Sequence, residues 1–173
     1  MSLFYKNYIN KIVNYDLLNK FEFKSIHKLP VLVEIILKFD FNRYDYDLLI
    51  RSLMILELLS EKNSIIIKSK KSNLTLKIKK GLPVGCKVIL KKKKALNFIM
   101  FLINNKKLIE NNYKIIKNNK GYTINLFNFN ILNLSKFQSN YHFFKNSAKL
   151  SITFVTTSKN YKEFIYLLNS YKF

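Results

Sequence analysis

The 173-residue sequence has little cysteine, glycine, proline or acid: one Cys, three Gly, two Pro, no Trp and ten Asp or Glu. A single cysteine excludes an intramolecular disulfide and a zinc site made of several cysteines. Two histidines and ten acids leave little material for catalysis, so we predict no metal and no cofactor. No apolar run approaches the roughly 18 residues of a membrane-spanning helix. The N-terminal residues lack a secretory or transit pattern, so we expect synthesis inside an organelle or a targeting segment already removed.

What the chain has instead is lysine, with 29 Lys and two Arg for a formal charge of +21. Hydrophobic residues make up 49% of the chain, which is too many for a disordered basic tail and suits one domain. Lysine, asparagine, isoleucine, phenylalanine and tyrosine are all abundant, and all have A/T-rich codons. This bias predicts an organelle genome. We expect a mitochondrion, with a plastid or another A/T-rich organelle as the alternative.

The charge is concentrated in one part of the chain. Residues 1–61 carry eight basic and eight acidic groups, whereas residues 62–162 carry 22 lysines and one acid, Glu110. Such a field opposes compaction unless a polyanion neutralises it. The lysines are interspersed with strand and turn residues, which favours nucleic acid over a membrane surface or a merely solvated basic face.

Apolar spacing predicts a single domain, residues 1–173, of the α+β class. We expect a mostly antiparallel, mixed sheet with helices packed on one face. Helices are predicted at residues 5–21, from 45 or 47 to 59, 95–108 and 160–169, the last opened by a capping box of Asn160 and Glu163. Strands are predicted at residues 31–39, 64–68, 86–90, 122–126 and 150–156. The second helix is apolar nearly all round, which predicts extensive burial.

The most distinctive stretch is KSKKSNLTLKIKKGLPVGCKVIL, at residues 68–90. It joins a basic run ending in Ser72, a Lys-Ile-Lys step at 77–79 and Gly-x-Pro-x-Gly-Cys-Lys-Val at 81–88. These motifs resemble the L-five family of universal large-subunit ribosomal proteins. LSITFVTTSK at 150–159 resembles the C-terminal strand of that family, and the extended segment after Pro30 is a third match. The order and spacing agree, so the resemblance spans residues 5–173.

The resemblance implies a structural, non-enzymatic constituent of the large ribosomal subunit, located in the central protuberance. The implied partners are large-subunit rRNA, 5S rRNA, P-site tRNA and neighbouring proteins of the central protuberance, with no membrane. The loop at 70–84 is implied to reach toward the elbow of P-site tRNA. We assign tRNA binding to Lys68, Lys70, Lys71, Ser72, Lys77, Lys79 and Lys80. We assign rRNA binding to Lys38, Lys62, Lys87, Lys91, Lys92, Lys93 and Lys94.

Three positions depart from the bacterial pattern of this family. The family's Asn, Gln and Thr that face 5S rRNA align with Lys38, Lys62 and Ile89. Base-specific or sugar-specific hydrogen bonds would be lost, while charge attraction would rise. The change is compatible with a 5S rRNA that is divergent, reduced or absent. Residues 111–146 are also shorter and poorer in Gly and Arg than the RNA-facing loop of the family, which weakens the expectation of contacts there.

Two local motifs invite more specific interpretations. Gly81 and Gly85 would permit tight turns and close approach to phosphate, but the GK[ST] of a nucleotide-binding loop does not follow them. The run of lysines at 91–94 precedes a predicted helix, where the dipole disfavours cations, and this favours phosphate binding.

Isolated side chains give the remaining alternatives. Cys86 is predicted to be a buried thiol, and His27 and His142 have no companion at ligand spacing. Rival functions are another organellar RNA-binding protein, a peripheral membrane protein, or a basic RNA-processing enzyme. The enzyme would depend on Glu110 with His142.

Overall fold

A computed structural model describes residues 2–23, 25–41, 45–104, 113–118, 121–129, 141–144 and 149–171. The strands are β1 (Leu32–Asp40), β2 (Ile65–Lys68), β3 (Pro83–Lys91), β4 (Tyr113–Asn118), β5 (Gly121–Phe129) and β6 (Leu150–Thr156). The helices are α1 (Ser2–Tyr8), α2 (Asn14–Lys20), α3 (Tyr46–Ser60), α4 (Lys92–Asn104), α5 (Tyr141–Phe144) and α6 (Tyr161–Ser170). A π-helical turn (Ile9–Val13) joins α1 to α2, and a 3₁₀ turn (Ile26–Lys28) precedes β1.

The six described strands form one sheet in the order β2-β3-β1-β6-β5-β4. Every pairing between these strands is antiparallel. The predicted α+β class with a mostly antiparallel sheet is therefore confirmed. β2 and β4 are the edges of this sheet, and β1, β3 and β6 form its centre.

The two faces of the sheet differ because side chains alternate along each strand. In β1, Ile35, Leu37 and Phe39 are fully buried, whereas Ile36 and Lys38 between them are only half-buried. β3 and β6 repeat this alternation. We call the buried side the covered face and the other side the open face.

Helices supply the other half of the core. In α4 the buried positions are Ala95, Phe98, Ile99 and Leu102, the three- and four-residue spacing of one helical face. The N-terminal helices are held to the C-terminus, because the Tyr5 hydroxyl donates to the Tyr171 carbonyl at 3.3 Å. These contacts bring the two neutral ends of the chain together on the covered face.

α3 begins where a local signal predicted it. The Asp45 carboxylate accepts hydrogen bonds from the amides of Asp47 and Leu48, which caps the helix. The expectation of burial all round is wrong. Leu49 and Leu56 are buried against the sheet, but Ile50 and Met54 are exposed because nothing in the described part of the chain covers the outer side of α3.

Other boundaries differ from the sequence predictions in identifiable ways. β4 was not predicted, although Gly121 was expected to mark the turn before β5 and is its first residue. α4 begins at Lys92 and not at residue 95, while residues 105–108 lie outside the described part. The Asn160 side chain makes no capping bond to the backbone of α6; it donates instead to the Glu163 carboxylate at 2.7 Å.

Candidate nucleic-acid interface

The lysine-rich stretch between β2 and β3 is a hairpin and not an irregular loop. The Ser69 amide donates to the Leu82 carbonyl at 2.8 Å, and the Gly81 amide donates to the Ser69 carbonyl at 3.0 Å. Nearer the tip, Asn73 and Ile78 exchange backbone hydrogen bonds of 2.8 and 3.0 Å. We call residues 69–82 the lysine hairpin. It extends the β2–β3 pair beyond the end of the sheet.

The tip of the hairpin is shaped by its own side chains. The Asn73 carboxamide oxygen accepts hydrogen bonds from the Thr75 amide at 3.0 Å and the Thr75 hydroxyl at 2.6 Å. Lys77 has a positive φ of 52°, a conformation that is uncommon for a residue with a side chain. Ile78 is buried and anchors the turn, whereas Leu74 is 93% exposed at its end.

The predicted tRNA-binding side chains all lie on this hairpin or at its base. Every one of them is exposed: Lys68, Lys70, Lys71, Ser72, Lys77, Lys79 and Lys80. No acidic residue occurs anywhere between residues 62 and 104. None of these lysines forms an ion pair with a described residue. Together with Lys68 at its base, the hairpin is therefore a projecting element with six positive charges and no ion pair to a described residue.

The register of the sheet places further lysines on the open face. Lys38 of β1 lies opposite Lys87 of β3, and Ile36 lies opposite Ile89. On the other side of β1, Lys38 is paired with Ser151. Lys38 and Ile89, two of the positions that the resemblance relates to 5S rRNA, are therefore diagonal neighbours on one face.

Four of the seven lysines assigned to rRNA, Lys94 among them, already have a partner within the protein. Lys38 pairs with Asp40 at 2.7 Å, and Lys91 pairs with Glu34 at 3.3 Å. The ammonium of Lys62 donates to the Ile89 carbonyl at 2.9 Å. These contacts are solvent-exposed and each is worth about 1 kcal/mol or less. A phosphate can therefore replace them or join them at little cost.

The run of lysines at 91–94 is divided by a strand-to-helix turn. Lys91 ends β3, and Lys92 begins α4 with a positive φ of 50°. The Lys94 ammonium donates to the Glu61 carbonyl at 2.7 Å, where α3 ends. A cation is favourable at that helix C-terminus. Lys94 therefore interacts with the end of α3, and phosphate binding by the run at 91–94 stays a prediction.

The two glycines of the motif have different roles. Gly81 has a φ of 90°, which suits a turn, and a Cβ there would meet no atom. Gly85 lies inside β3, where a Cβ would lie 2.3 Å from the Phe39 carbonyl oxygen. The expectation that Gly85 permits close approach of phosphate is therefore wrong. This glycine permits the close approach of β1 and β3.

The remaining candidate residues do not assemble into a catalytic centre in the described part. Cys86 is buried as predicted, and burial raises the pKa of its thiol to about 11 despite a 3.3 Å hydrogen bond to Ser52. Among the described residues no group of three His, Cys, Asp or Glu could hold a metal. Glu110 lies outside the described residues, as does much of 111–146.

None of the described helices combines the length and the apolar character required to cross a bilayer.

Sequence reasoning missed two features of this interface. The Asn73 turn could have been suspected, since Asn readily hydrogen-bonds to the backbone two residues ahead. The Lys62 and Lys94 contacts had no local signal, because each joins residues about 30 positions apart, 27 and 33 respectively. They depend on how α3, β3 and α4 meet.

The chain is similar to large-subunit ribosomal proteins over most of its length. No family model matches the chain. The chain is 27% identical to the large ribosomal subunit protein uL5m of Reclinomonas americana over 175 residues, which covers 96% of this chain and 94% of that protein. It is 29% identical to uL5 of Karelsulcia muelleri over 164 residues, covering 93% and 88%. It is 34% identical to uL5 of Thermotoga maritima over 90 residues, which cover 51% of this chain and 49% of that protein.

Proposed function

Because the chain belongs to the uL5 family of large-subunit ribosomal proteins, we propose that it binds RNA in the central protuberance through the lysine hairpin and the open face. Family membership makes it a structural constituent of the large subunit and not an enzyme. The proposal adds the location within the subunit, the RNA partners and the residues that meet them.

The exposed and unneutralised charge of the lysine hairpin carries this proposal. Six exposed lysines lie on the hairpin or at its base, and no acid lies between residues 62 and 104. Each lysine that meets a phosphate releases condensed counterions, which gives affinity with little sequence information. An antiparallel hairpin also holds the charges in a fixed arrangement, so less chain entropy is lost on binding than with a flexible tail.

The tip of the hairpin is proposed to contact the elbow of P-site tRNA. The hairpin extends past the end of the sheet, so its tip is available to a partner that the sheet itself does not touch. Its two arms carry Lys70 and Lys71 on one side and Lys79 and Lys80 on the other. This arrangement suits a rounded phosphate backbone.

The open face is proposed to contact large-subunit rRNA. Lys38 and Lys87 lie there opposite each other, and Lys91 lies four residues further along β3 on the same face. Ile89, between Lys87 and Lys91 on the same strand, offers no hydrogen bond to a base or a sugar. Recognition by this face therefore rests on charge, which is compatible with a 5S rRNA that is divergent, reduced or absent.

We place this ribosome in the mitochondrion, with a plastid or another A/T-rich organelle as the alternative. The bias toward residues with A/T-rich codons supports an organelle genome. The similarity to a uL5m protein over nearly the whole chain supports the mitochondrion. A bacterial uL5 matches over a similar length, so the location is tested directly below.

Sedimentation of an organelle lysate tests the proposal first. The protein is expected to co-migrate with the large subunit at moderate salt and after a high-salt wash. Recovery only with membranes, or only as a free pool, would contradict it and favour a different RNA-binding or vesicle-binding role. Mitochondrial and plastid fractions are compared side by side, which decides the location.

Crosslinking then separates the RNA partners. A photoreactive group at Thr75, at the hairpin tip, is expected to label tRNA in ribosomes whose P site is filled. The same group at Ser151, on the open face, is expected to label rRNA whether or not tRNA is present. Labelling of tRNA from Ser151 and not from Thr75 would reverse the assignment of the two surfaces.

A further inference from the structure

The outward side of α3 presents apolar side chains that no described residue of the chain covers. Tyr46, Ile50, Met54 and Leu58 are between 37% and 61% exposed. Their spacing of four residues places them along one side of the helix, over roughly 18 Å. We call these four side chains the α3 stripe. Scattered exposed apolar residues are ordinary, but an aligned series of them marks an interaction surface.

The exposed charged side chains of α3 are acidic, opposite in sign to the charge excess of residues 62–162. Asp47 and Glu57 are the other exposed positions of α3, and exposed Glu61 follows its end. No lysine occurs in α3. Arg51 is half-buried and its guanidinium lies 5.7 Å from the ring of Phe143. The Lys94 ammonium is directed at the Glu61 carbonyl, so it adds positive charge at the C-terminal end alone.

Two of the acidic groups are held in place locally. Hydrogen bonds from the Ser64 amide and then from the Ser64 hydroxyl lower the pKa of the Glu57 carboxyl, which therefore stays ionised. Asp47 lies in the first turn of α3, where a negative charge is favoured. The stripe is thus bordered by carboxylates near both ends.

These features exclude most candidate occupants. An RNA backbone would meet carboxylates and would leave the apolar groups without a partner. An anionic membrane would cover the apolar groups, but the bordering carboxylates would repel it. A second copy of this chain would bring the same acids against each other in a symmetric contact. A basic protein segment satisfies both the apolar stripe and the bordering charges.

We infer that the α3 stripe docks an amphipathic, basic segment of a neighbouring protein in the large subunit. The segment carries apolar side chains that cover Ile50, Met54 and Leu58, with Lys or Arg residues positioned near Asp47 and Glu61. The inference depends on membership in the subunit and not on which RNA the hairpin or the open face contacts. It assigns the acidic side of the protein to protein contact and the basic side to RNA.

A thiol placed in the stripe tests this inference. The natural cysteine, Cys86, is buried with a raised thiol pKa, so Met54→Cys creates one accessible thiol. Its reaction with a maleimide should slow several-fold in purified large subunits relative to the free protein. A thiol-attached benzophenone at the same position should crosslink to a ribosomal protein peptide that carries both apolar and basic residues. Thr75→Cys, at the hairpin tip, is the matched control and should remain free of protein crosslinks.

A charge change tests the acidic border. Asp47→Lys in the Met54→Cys protein should lower the yield of the protein crosslink several-fold. Asp16→Lys, an equal change at an exposed position of α2, should leave the yield unchanged. Circular dichroism of the free variants checks that both fold.

Four results would overturn the inference. They are an unchanged maleimide rate in the subunit, crosslinks to RNA alone, a crosslink to a peptide without basic residues, and a yield insensitive to Asp47→Lys. A crosslink to a second copy of this chain would overturn it as well. If the protein is absent from the large subunit, the proposed function fails too. If the protein is present and the stripe is uncovered, only this inference fails.

Discussion

The two faces of the sheet differ in character, and consecutive residues of one strand lie on opposite faces. Along β1, Leu37 is fully buried beneath the helices, while its neighbour Lys38 lies on the open face opposite Lys87. Burial of Leu37 stabilises the fold, and exposure of Lys38 leaves a charge available to a partner. In this molecule one set of alternate strand residues stabilises the fold, and the other set carries the proposed RNA binding.

This comparison explains how a small domain holds 21 excess positive charges. The covered face of the central strands consists of apolar side chains, so no charge is desolvated there. Most of the lysines of residues 62–104 lie on the open face, on the hairpin or at the start of α4. Repulsion between them is reduced by solvent and by partial pairing, as between Lys38 and Asp40.

The largest predicted effect on stability comes from the covered face. Leu37→Ala should lower the free energy of unfolding by about 2–5 kcal/mol, because a cavity forms where the side chain is fully buried. Ile36→Ala, one residue away on the open face, should cost about 1 kcal/mol. Urea unfolding of the free proteins measures both values.

Equal losses of unfolding free energy in Leu37→Ala and Ile36→Ala would contradict the difference between the two faces. They would mean that the open face is covered in solution, for example by self-association. Sedimentation velocity of the unmodified protein checks that explanation independently.

Removing hairpin charge should affect RNA binding and leave stability nearly unchanged. The triple variant Lys70→Gln, Lys79→Gln and Lys80→Gln tests this. The plot of log association constant against log salt concentration has a negative slope, and its magnitude should decrease by about 2 to 3. Each lost phosphate contact removes about 0.7 to 0.9 from that magnitude. Titration of a ribosomal RNA fragment over a range of salt measures the slope.

The matched control changes three exposed lysines of the N-terminal part. Lys6→Gln, Lys11→Gln and Lys28→Gln combined make the same change in net charge. Here the slope should change by less than in the hairpin variant. Equal changes would show that RNA responds to net charge, and the hairpin would lose its special role.

Gly85→Ala should affect the fold through the closeness of β1 and β3. A Cβ at this position would lie 2.3 Å from the Phe39 carbonyl oxygen, so the two strands must move apart. The expected loss is about 1–3 kcal/mol, as for other overpacked sites. Gly81→Ala meets no neighbour and should cost less, through its positive φ alone. Thermal unfolding of both variants measures the two losses. A larger loss for Gly81→Ala than for Gly85→Ala would contradict the role of Gly85 in the contact between β1 and β3.

Features that depend on neighbouring residues could be predicted from the sequence, whereas features that depend on distant contacts could not. β6 was predicted with its observed bounds, because alternation over residues 150–156 needs only one buried face. The Asp45 cap and the Cys86 burial were also visible locally. The family motifs located the hairpin, although they did not show its backbone pairing.

The features that sequence reasoning missed depend on long-range arrangement. β4 is the short segment YKIIKN, whose apolar content is too small to distinguish an edge strand from a loop. The exposure of Met54 depends on what lies above α3, which no periodicity records. Likewise the contact of Lys94 with Glu61 requires the end of α3 to meet the start of α4.

The smallest effect is expected from alkaline pH, and it belongs to the covered face alone. Burial raises the pKa of the Cys86 thiol from 9.0 to about 11, so the folded protein keeps the proton that the unfolded chain loses. The neutral thiol therefore contributes stability below pH 9, and this contribution declines as the pH rises toward 11. Burial also raises the pKa of Tyr171 from 10.0 to about 12, which adds a decline that starts at higher pH.

Cys86→Ala separates these contributions. The variant is expected to be less stable at pH 8, because it lacks a buried side chain, but its free energy of unfolding should fall less between pH 9 and 10. Urea unfolding at pH 8, 9 and 10 measures the difference, and identical falls in the two proteins would contradict it. Cys86 and Lys87 are consecutive residues of β3 that face opposite sides of the sheet. The fall in the free energy of unfolding between pH 9 and 10 should therefore shrink in Cys86→Ala. It should be unchanged in the variant with Lys70, Lys79 and Lys80 replaced by Gln. That result would assign the pH dependence to the covered face.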